Sequence, residues 1–351
     1  MKDKLIIFIG TLQGGGAERV VTELSGMYAE HFREVIILTY YDLPVFYRLD
    51  SRISLECVEK RTKSRNIIRN LLWIRKFVKR EHPKLFLSFL LPFNILSIWS
   101  LLFTRIPVSV CERSDPQFVS GWLLILRNIS YRFSNRIQVQ TNAAKLCFPT
   151  SIQNKIVVIP NPNHISKAER EWSFRQKKDN RIVTVGRLIP VKNHRLLIEV
   201  FAVVNRNYPD VVLDIYGDGE LKKSLQNQID TLGLTEKIVL HGRINDITKH
   251  IASAKVFVLP SDLEGMPNAL MEAMALGIPC VATDVSGVRD IITDRENGFI
   301  VPVGNKDEMV DRITKLLKSD ELRNNFAENS INVISKFDKE KIFNQWLEFV
   351  S

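Results

Sequence analysis

Short apolar runs recur along the chain, and between them the apolar positions fall three and four residues apart. Runs of the first kind, over 5–9, 35–39, 85–90, 108–111 and 156–159, predict buried strands, with helices between. The same alternation continues through 182–185, 211–216, 238–241, 256–259 and 279–282. Continuous apolar strands separated by amphipathic helices mean parallel sheets covered on both faces. The strands form two series. They part near Pro160-Asn161-Pro162-Asn163, and the polar stretch 166–180 that follows reads as a linker. No solenoid repeat or low-complexity tract interrupts the rhythm.

Two stretches of the first half need separate reading. Residues 85–104 carry no charge and match a membrane span in length. Pro92 would break such a helix, and Asn94 is suited to cap a new one. A strand over 85–90, a turn and a helix over 94–103 keep the alternation intact. Residues 64–82 place Ile67, Ile68, Leu71, Leu72, Ile74 and Phe77 at helical spacing, with Arg65, Arg69, Arg75, Lys76, Lys79 and Arg80 on the other face. Two readings stand: a surface helix with a solvated basic face, or a helix that meets anionic lipid headgroups or a lipid-linked pyrophosphate.

Charge sharpens the division. The chain of 351 residues carries a formal net charge of +10, all of it in the first half: residues 1–160 hold 23 Lys and Arg against 12 Asp and Glu. That half should attract something anionic, whether a membrane surface, a phosphorylated substrate or a nucleic acid. The length suits two domains of ordinary size. The cysteines at 57, 111, 147 and 280 form no CxxC pair, so neither a zinc site nor a disulfide framework is expected, and a reducing cytoplasm fits. The apolar run at the start is short and leads into a glycine turn, so it is read as the first strand and not as a signal peptide.

Three motifs carry the chemistry. Gly14-Gly15-Gly16-Ala17-Glu18-Arg19 lies between the first strand and the first helix, where glycines let backbone N–H groups approach a phosphate or sugar. It is neither GxGxxG nor a Walker A loop, and a plain tight turn is the alternative. Gly186-Arg187-Leu188-Ile189-Pro190-Val191-Lys192-Asn193 follows the first strand of the second series. Two cations there can clamp a diphosphate and neutralise its charge on departure, although exposed basic residues on loops are common. In the third, Glu264-Gly265-Met266-Pro267-Asn268-Ala269-Leu270-Met271-Glu272, a strand runs into a turn and a helix beginning near Asn268. The helix start offers N–H groups and positive dipole character to phosphate. Eight helical residues would rise about 12 Å, whereas paired glycosidase carboxylates sit roughly 5–9.5 Å apart. Separate binding tasks for Glu264 and Glu272 therefore fit better than a hydrolase pair.

Together, Arg187, Lys192 and the Glu264-x7-Glu272 pattern resemble retaining glycosyltransferases of glycosyltransferase family 4, and the likeness covers nearly the whole chain. GGGAER and EGMPNALMEAMA resemble the bacterial branch that builds capsule, O-antigen or lipid-linked glycans. The resemblance implies a GT-B fold, in which two Rossmann-like α/β domains face each other across a cleft. Residues 1–160 would be the acceptor domain and 161–335 the donor domain, with a last helix over 338–351 returning to the first. It further implies that Arg187 and Lys192 bind the donor diphosphate, Glu264 the donor sugar and Glu272 the ribose. The backbone of Gly265, Met266, Pro267, Asn268 and Ala269 would contact sugar and phosphate, and Gly15, Gly16, Gly217 and Arg243 would complete the donor site. Arg187, Lys192 and Glu264 would be the catalytic residues.

By the same resemblance the donor is a nucleotide diphosphate sugar, a UDP-sugar favoured, with no cofactor and no metal. The acceptor would be a polyprenyl-pyrophosphate-linked glycan, and the protein would lie peripherally on the cytoplasmic face of the cell membrane. Many family members place a His in the cleft from the first domain, and none of the six His here follows a first-domain strand in that way. Glu112, Arg113 and Asp115, after the strand at 108–111, take its place as acceptor-binding candidates; an Arg–carboxylate structural pair is the alternative. A sugar-nucleotide epimerase or hydrolase of the same fold is the nearest rival. A nucleic-acid-binding module is a distant one, because no such motif is present and aromatics do not interleave the basic stretch.

Overall fold

The computed structural model describes residues 3–113 and 115–351. The chain divides into two compact units, one formed by residues up to Asn161 together with Glu340–Ser351, the other by Pro162–Lys339.

The first unit holds a seven-stranded parallel sheet. Its strands are β1 (Lys4–Ile9), β2 (Glu34–Thr39), β3 (Ile53–Cys57), β4 (Leu85–Phe89), β5 (Val108–Cys111), β6 (Ile137–Val139) and β7 (Ile156–Val158), in the spatial order β3-β2-β1-β4-β5-β6-β7. The second unit holds β8 (Asp179–Val185), β9 (Val212–Tyr216), β10 (Ile238–Gly242), β11 (Ala254–Leu259), β12 (Cys280–Thr283) and β13 (Phe299–Val301), in the order β10-β9-β8-β11-β12-β13 and again parallel. Each sheet starts in the middle, builds to one edge, then returns to build the other. The reversals lie between β1 and β4 and between β8 and β11, where doubly wound sheets open a crevice for ligands beyond the strands' carboxyl ends.

The alternation along β1 shows why both faces must be covered. Ile6 and Phe8 pack with Ile74, Phe77 and Val78 of the Ile67–Glu81 helix, Ile98 of the Leu91–Leu101 helix and Tyr131 of the Gly121–Tyr131 helix. Leu5, Ile7 and Ile9 pack on the other side with Val20 and Val21 of the Gly16–Tyr28 helix and with Ile342, Trp346 and Phe349 of the Lys339–Val350 helix.

Several local expectations need correction. Three strands were not visible in the apolar pattern: β3, at a sheet edge, leaves Ser54 and Leu55 exposed and buries Cys57 alone, and β6 and β13 are three residues long. The helix after β4 begins at Leu91, with Pro92 in its first turn, where the missing N–H costs nothing. Asn94 does not cap it. Its side chain is buried one turn in, donating to the Cys111 carbonyl at 3.0 Å and to the Tyr131 hydroxyl at 2.9 Å. Residues 166–180 are not a linker: Ser166 and Glu169 form a capping box on the Lys167–Phe174 helix, and Ser173 donates to the Leu276 carbonyl at 2.8 Å. In the Ile67–Glu81 helix, Leu71 and Trp73 lie against the core, whereas Ile67, Ile68 and Leu72 face outward. Among the described residues, no helix is long and apolar enough to cross a membrane.

Candidate active site

The candidate donor residues of the second unit gather on loops at the carboxyl ends of β8, β9, β10 and β11. Backbone hydrogen bonds weave the first three loops together. Gly186 N–H donates to the Tyr216 carbonyl at 2.9 Å, Leu188 N–H to Asp218 at 3.0 Å, and Gly217 N–H to Gly242 at 2.8 Å. This closeness explains Gly217. Its φ is 138°, and a Cβ there would stand 1.9 Å from the Gly186 carbonyl oxygen, so no side chain fits.

The loops after β8 and β11, on either side of the reversal, are clipped side by side. Asn193 Nδ2 donates to Asp262 Oδ1 at 2.8 Å, and Asp262 N–H donates to the Val191 carbonyl at 2.8 Å. The clip brings Lys192 Nζ to 2.5 Å from Glu264 Oε1, which also accepts from the Ser261 hydroxyl at 2.7 Å. Ser261 is itself held, because Thr283 Oγ1 donates to its carbonyl at 2.5 Å. Glu264 is thus a mostly buried carboxylate with a fixed orientation, and Lys192 is a cation held against it. Arg187 is exposed, and its guanidinium makes no hydrogen bond or ion pair among the described residues.

Beneath this loop lies His194, which is buried. Its Nε2 is 3.2 Å from the Arg187 carbonyl and its Nδ1 has no partner. Burial, with Lys192 nearby, lowers its pKa to about 4, so the ring is neutral and donates through Nε2.

The Asn268–Ala275 helix begins straight after the turn. Pro267 stands at its N-cap and supplies no side-chain hydrogen bond, so the first N–H groups are not taken up by a capping side chain. Met266 is buried in the core, Ala269 packs partly against it, and Glu272 is largely buried one turn into the helix. Gly287, at φ 78°, lets its loop pass close behind Gly265, whose carbonyl oxygen a Cβ there would meet at 2.5 Å. Arg243 lies exposed on the loop after β10. Behind it, Asp214 of β9 accepts from His241 Nε2 at 2.7 Å and from Arg181 at 2.8 Å, and the His241 ring stacks on Tyr216 at 4.5 Å.

The residues that hold these loops in place were not among those named from sequence: Ser261, the Asn193–Asp262 clip, His194 and Asp214. Only Asn193 carried a local signal, as an N-cap at the start of the His194–Asn207 helix.

In the first unit, Gly15 is the N-cap of the Gly16–Tyr28 helix, Gly16 its first residue, and Gly14 has φ 104°. The loop after β5 divides its three candidates. Glu112 is buried, accepts the Tyr131 hydroxyl, and is pushed above the usual carboxylate range by burial. Asp115 is buried and accepts from Gln117 N–H at 3.0 Å. Both carboxylates take part in internal hydrogen bonds. Arg113 differs. One amino group donates to Asn161 Oδ1, its Nε and Nη1 have no partner, and burial lowers its pKa to about 10. The Arg–carboxylate pair considered from sequence does not form.

Comparison with known proteins gives the family and the fold. Residues 166–333, all within the second unit, match the family model "Glycosyl transferases group 1". The chain is 30% identical over 382 residues to a Campylobacter jejuni N-acetylgalactosamine-N,N'-diacetylbacillosaminyl-diphospho-undecaprenol 4-alpha-N-acetylgalactosaminyltransferase, covering 99% of each chain. It is 32% identical over 206 residues to an Escherichia coli UDP-Gal:alpha-D-GlcNAc-diphosphoundecaprenol alpha-1,3-galactosyltransferase, covering 53% of each. Among solved structures, Anabaena HepE in complex with UDP-glucose superposes with a TM-score of 0.81 at 19% identity, over 99% of this chain and 98% of that one. The fold is that of the GT-B proteins.

Proposed function

The chain belongs to the group 1 glycosyltransferases, and we propose that it transfers a hexose or N-acetylhexosamine from a UDP-sugar to a glycan carried on polyprenyl diphosphate, with retention of configuration and without a metal. The Lys192–Glu264 pair beside Arg187 is the observation that carries this reading. Departure of a nucleoside diphosphate builds negative charge on its oxygens. Arg187, with no internal partner, and Lys192, on the same short loop, are the cations placed to offset it. Glu264, oriented by Ser261, is an acceptor for sugar hydroxyls, and Glu272 for those of the ribose. The start of the Asn268–Ala275 helix offers its N–H groups to phosphate. Arg113, a first-unit group with unused donors, is proposed to meet the acceptor.

The names of the relatives support the finer points. Both carry their sugar acceptor on a diphosphate-linked undecaprenol, and both are alpha-transferases. An α product from an α-configured nucleotide sugar is a retained configuration. A membrane-borne acceptor supports the reading that the enzyme works at the cytoplasmic face of the membrane. The excess of Lys and Arg in residues 1–160 is the charge that an anionic surface attracts.

A panel of nucleotide sugars, incubated with lipid extract and EDTA, tests the reading. Release of one nucleoside diphosphate that depends on the lipid, with the new linkage α by NMR, is the expected result. Equal release without lipid would favour the hydrolase, and a converted nucleotide sugar the epimerase.

A further inference from the structure

The Gly121–Tyr131 helix is built inside out. A helix on a water-soluble domain buries its apolar stripe and shows its polar face to solvent. Here the buried face carries Arg127, Ser130 and Tyr131, with Arg127 wholly inaccessible. The outward face carries Trp122 at 73% exposure, Ile125 at 62% and Ile129, and Phe133 follows just beyond the helix.

The inversion is built in. Arg127 lies over the Phe148 ring at 4.4 Å and donates to the Pro116 carbonyl at 3.3 Å. Tyr131 bonds to Glu112 and Asn94. Ser130 Oγ accepts from Trp99 Nε1 at 3.0 Å. Rotating the helix to hide its apolar face would break every one of these bonds.

The neighbouring helix continues the surface. Trp99 is partly exposed and its ring lies 6.3 Å from that of Phe133, while Phe103 is 92% exposed. Arg75 ties the Ile67–Glu81 helix to the end of this one through the carbonyls of Ser100 and Leu102, at 3.0 and 2.7 Å. The exposed Ile67, Ile68 and Leu72 therefore belong to the same layer of helices on one side of the sheet. Charge around the layer is mostly positive, and Glu81 of the Ile67–Glu81 helix is held by Lys4 at 2.9 Å. Between His82 and Ala168 the chain has two carboxylates, Glu112 and Asp115, and both are buried. Arg69, Arg105 and Arg132 are exposed.

We propose that the outward face of the Gly121–Tyr131 helix, with Trp99 and Phe103, seats in the headgroup–acyl boundary of an anionic bilayer. The apolar face would enter the boundary, with Trp122 at its level, and the arginines would meet lipid phosphates. The proposal deepens the membrane-face reading above and rests on it. It assigns the penetrating role to this helix, with the basic 64–82 stretch supplying attraction. It also sets the Glu112–Asp115 loop, which Arg127 and Tyr131 hold to the helix, beside the lipid surface.

The test is flotation of the full chain with vesicles of phosphatidylcholine, with and without phosphatidylglycerol. Wild type should float with the anionic vesicles, and a fraction should stay bound in high salt. The variant Trp122→Ser/Ile125→Ser/Phe103→Ser should lose partitioning by about tenfold per side chain removed. Its affinity for UDP, measured by calorimetry, should be unchanged, because these side chains face outward. Changing Arg69, Lys76, Lys79 and Arg80 to Gln should weaken only the salt-sensitive part, because Arg105 and Arg132 remain. The proposal is overturned if wild type does not float, or if the triple variant floats as well as wild type. It is also overturned if sedimentation shows a wild-type dimer that the triple variant splits, since the face would then join two copies. Vesicle binding that depends on these residues, paired with transfer only to a soluble acceptor, would remove the lipid-linked acceptor and leave the docking face standing.

Discussion

His194 should make the donor unit acid-labile within a defined window. Its ring nitrogens are not equivalent: Nε2 faces the Arg187 carbonyl and Nδ1 is buried with no partner. Protonation would place an N–H at Nδ1 with nothing to accept it, in a site where Lys192 already disfavours positive charge. The folded pKa is about 4 against an ordinary 6.5. The folded state binds its proton later than the unfolded chain, so the stabilisation is complete above pH 6.5. It is lost progressively as pH falls from there to about 4. A gap of about 2.5 units corresponds to about 3 kcal/mol, a large part of the 5–15 kcal/mol by which domains are typically stable.

The variant that isolates the effect is His194→Gln, whose amide can still donate to the Arg187 carbonyl but does not titrate. Urea melts of both proteins across this window give the difference in stability at each pH, and carboxylates common to both cancel. Wild type should lose its advantage over the variant by about 3 kcal/mol from the top of the window to the bottom. Because the same ring supports the loop that carries Arg187 and Lys192, the ratio of wild-type to variant affinity for the nucleoside diphosphate should fall only near pH 4, where the folded ring itself takes up its proton. A pH-independent difference would refute the reasoning. So would an NMR titration that places the His194 ring near 6.5.

The remaining predictions concern the same loops. Arg187→Ala and Lys192→Ala should each lower turnover about a hundredfold or more, as measured by nucleoside diphosphate release; near-normal turnover in either would end its assignment to the diphosphate. Glu264→Gln should cripple turnover yet keep affinity for the free nucleoside diphosphate, because the sugar contact is absent there and Lys192 is released from its carboxylate. Glu272→Gln should weaken the nucleotide itself, and calorimetry giving equal losses would contradict the division between sugar and ribose. Gly217→Ala should destabilise by more than about 2 kcal/mol, measured by urea melts, since the new methyl would stand inside the Gly186 carbonyl at an unfavourable φ.

Which features the sequence revealed follows from how local each one is. A strand covered on both faces must be apolar throughout, so β1, β2, β4 and β11 announce themselves. β3 does not, because an edge strand can afford Ser54 and Glu56. β6 is three residues long and puts Gln138 at its centre, where the side chain is buried and donates to the Ile159 carbonyl at 2.6 Å. Arg187, Lys192 and Glu264 were legible because each sits in a short run of telling neighbours. Ser261 beside Glu264 looks like any loop serine until β12 brings Thr283 to hold it. Glu112 is the converse case: its burial depends on Tyr131, nineteen residues on, which no local pattern reveals.

The Gly121–Tyr131 helix was unreadable for a deeper reason. Periodicity gives the apolar side of a helix, and the step from that side to the core assumes water on the other. Where a face meets lipid instead, the same period survives and its direction reverses. What fixes the direction is the set of long-range partners of Arg127 and Tyr131, at Pro116, Glu112 and Asn94, all of them outside the helix. Those bonds also determine the shape of the loop after β5. The network that turns the apolar face outward therefore anchors the loop carrying Arg113, and the choice of surface and the placing of the proposed acceptor contact are one structural decision.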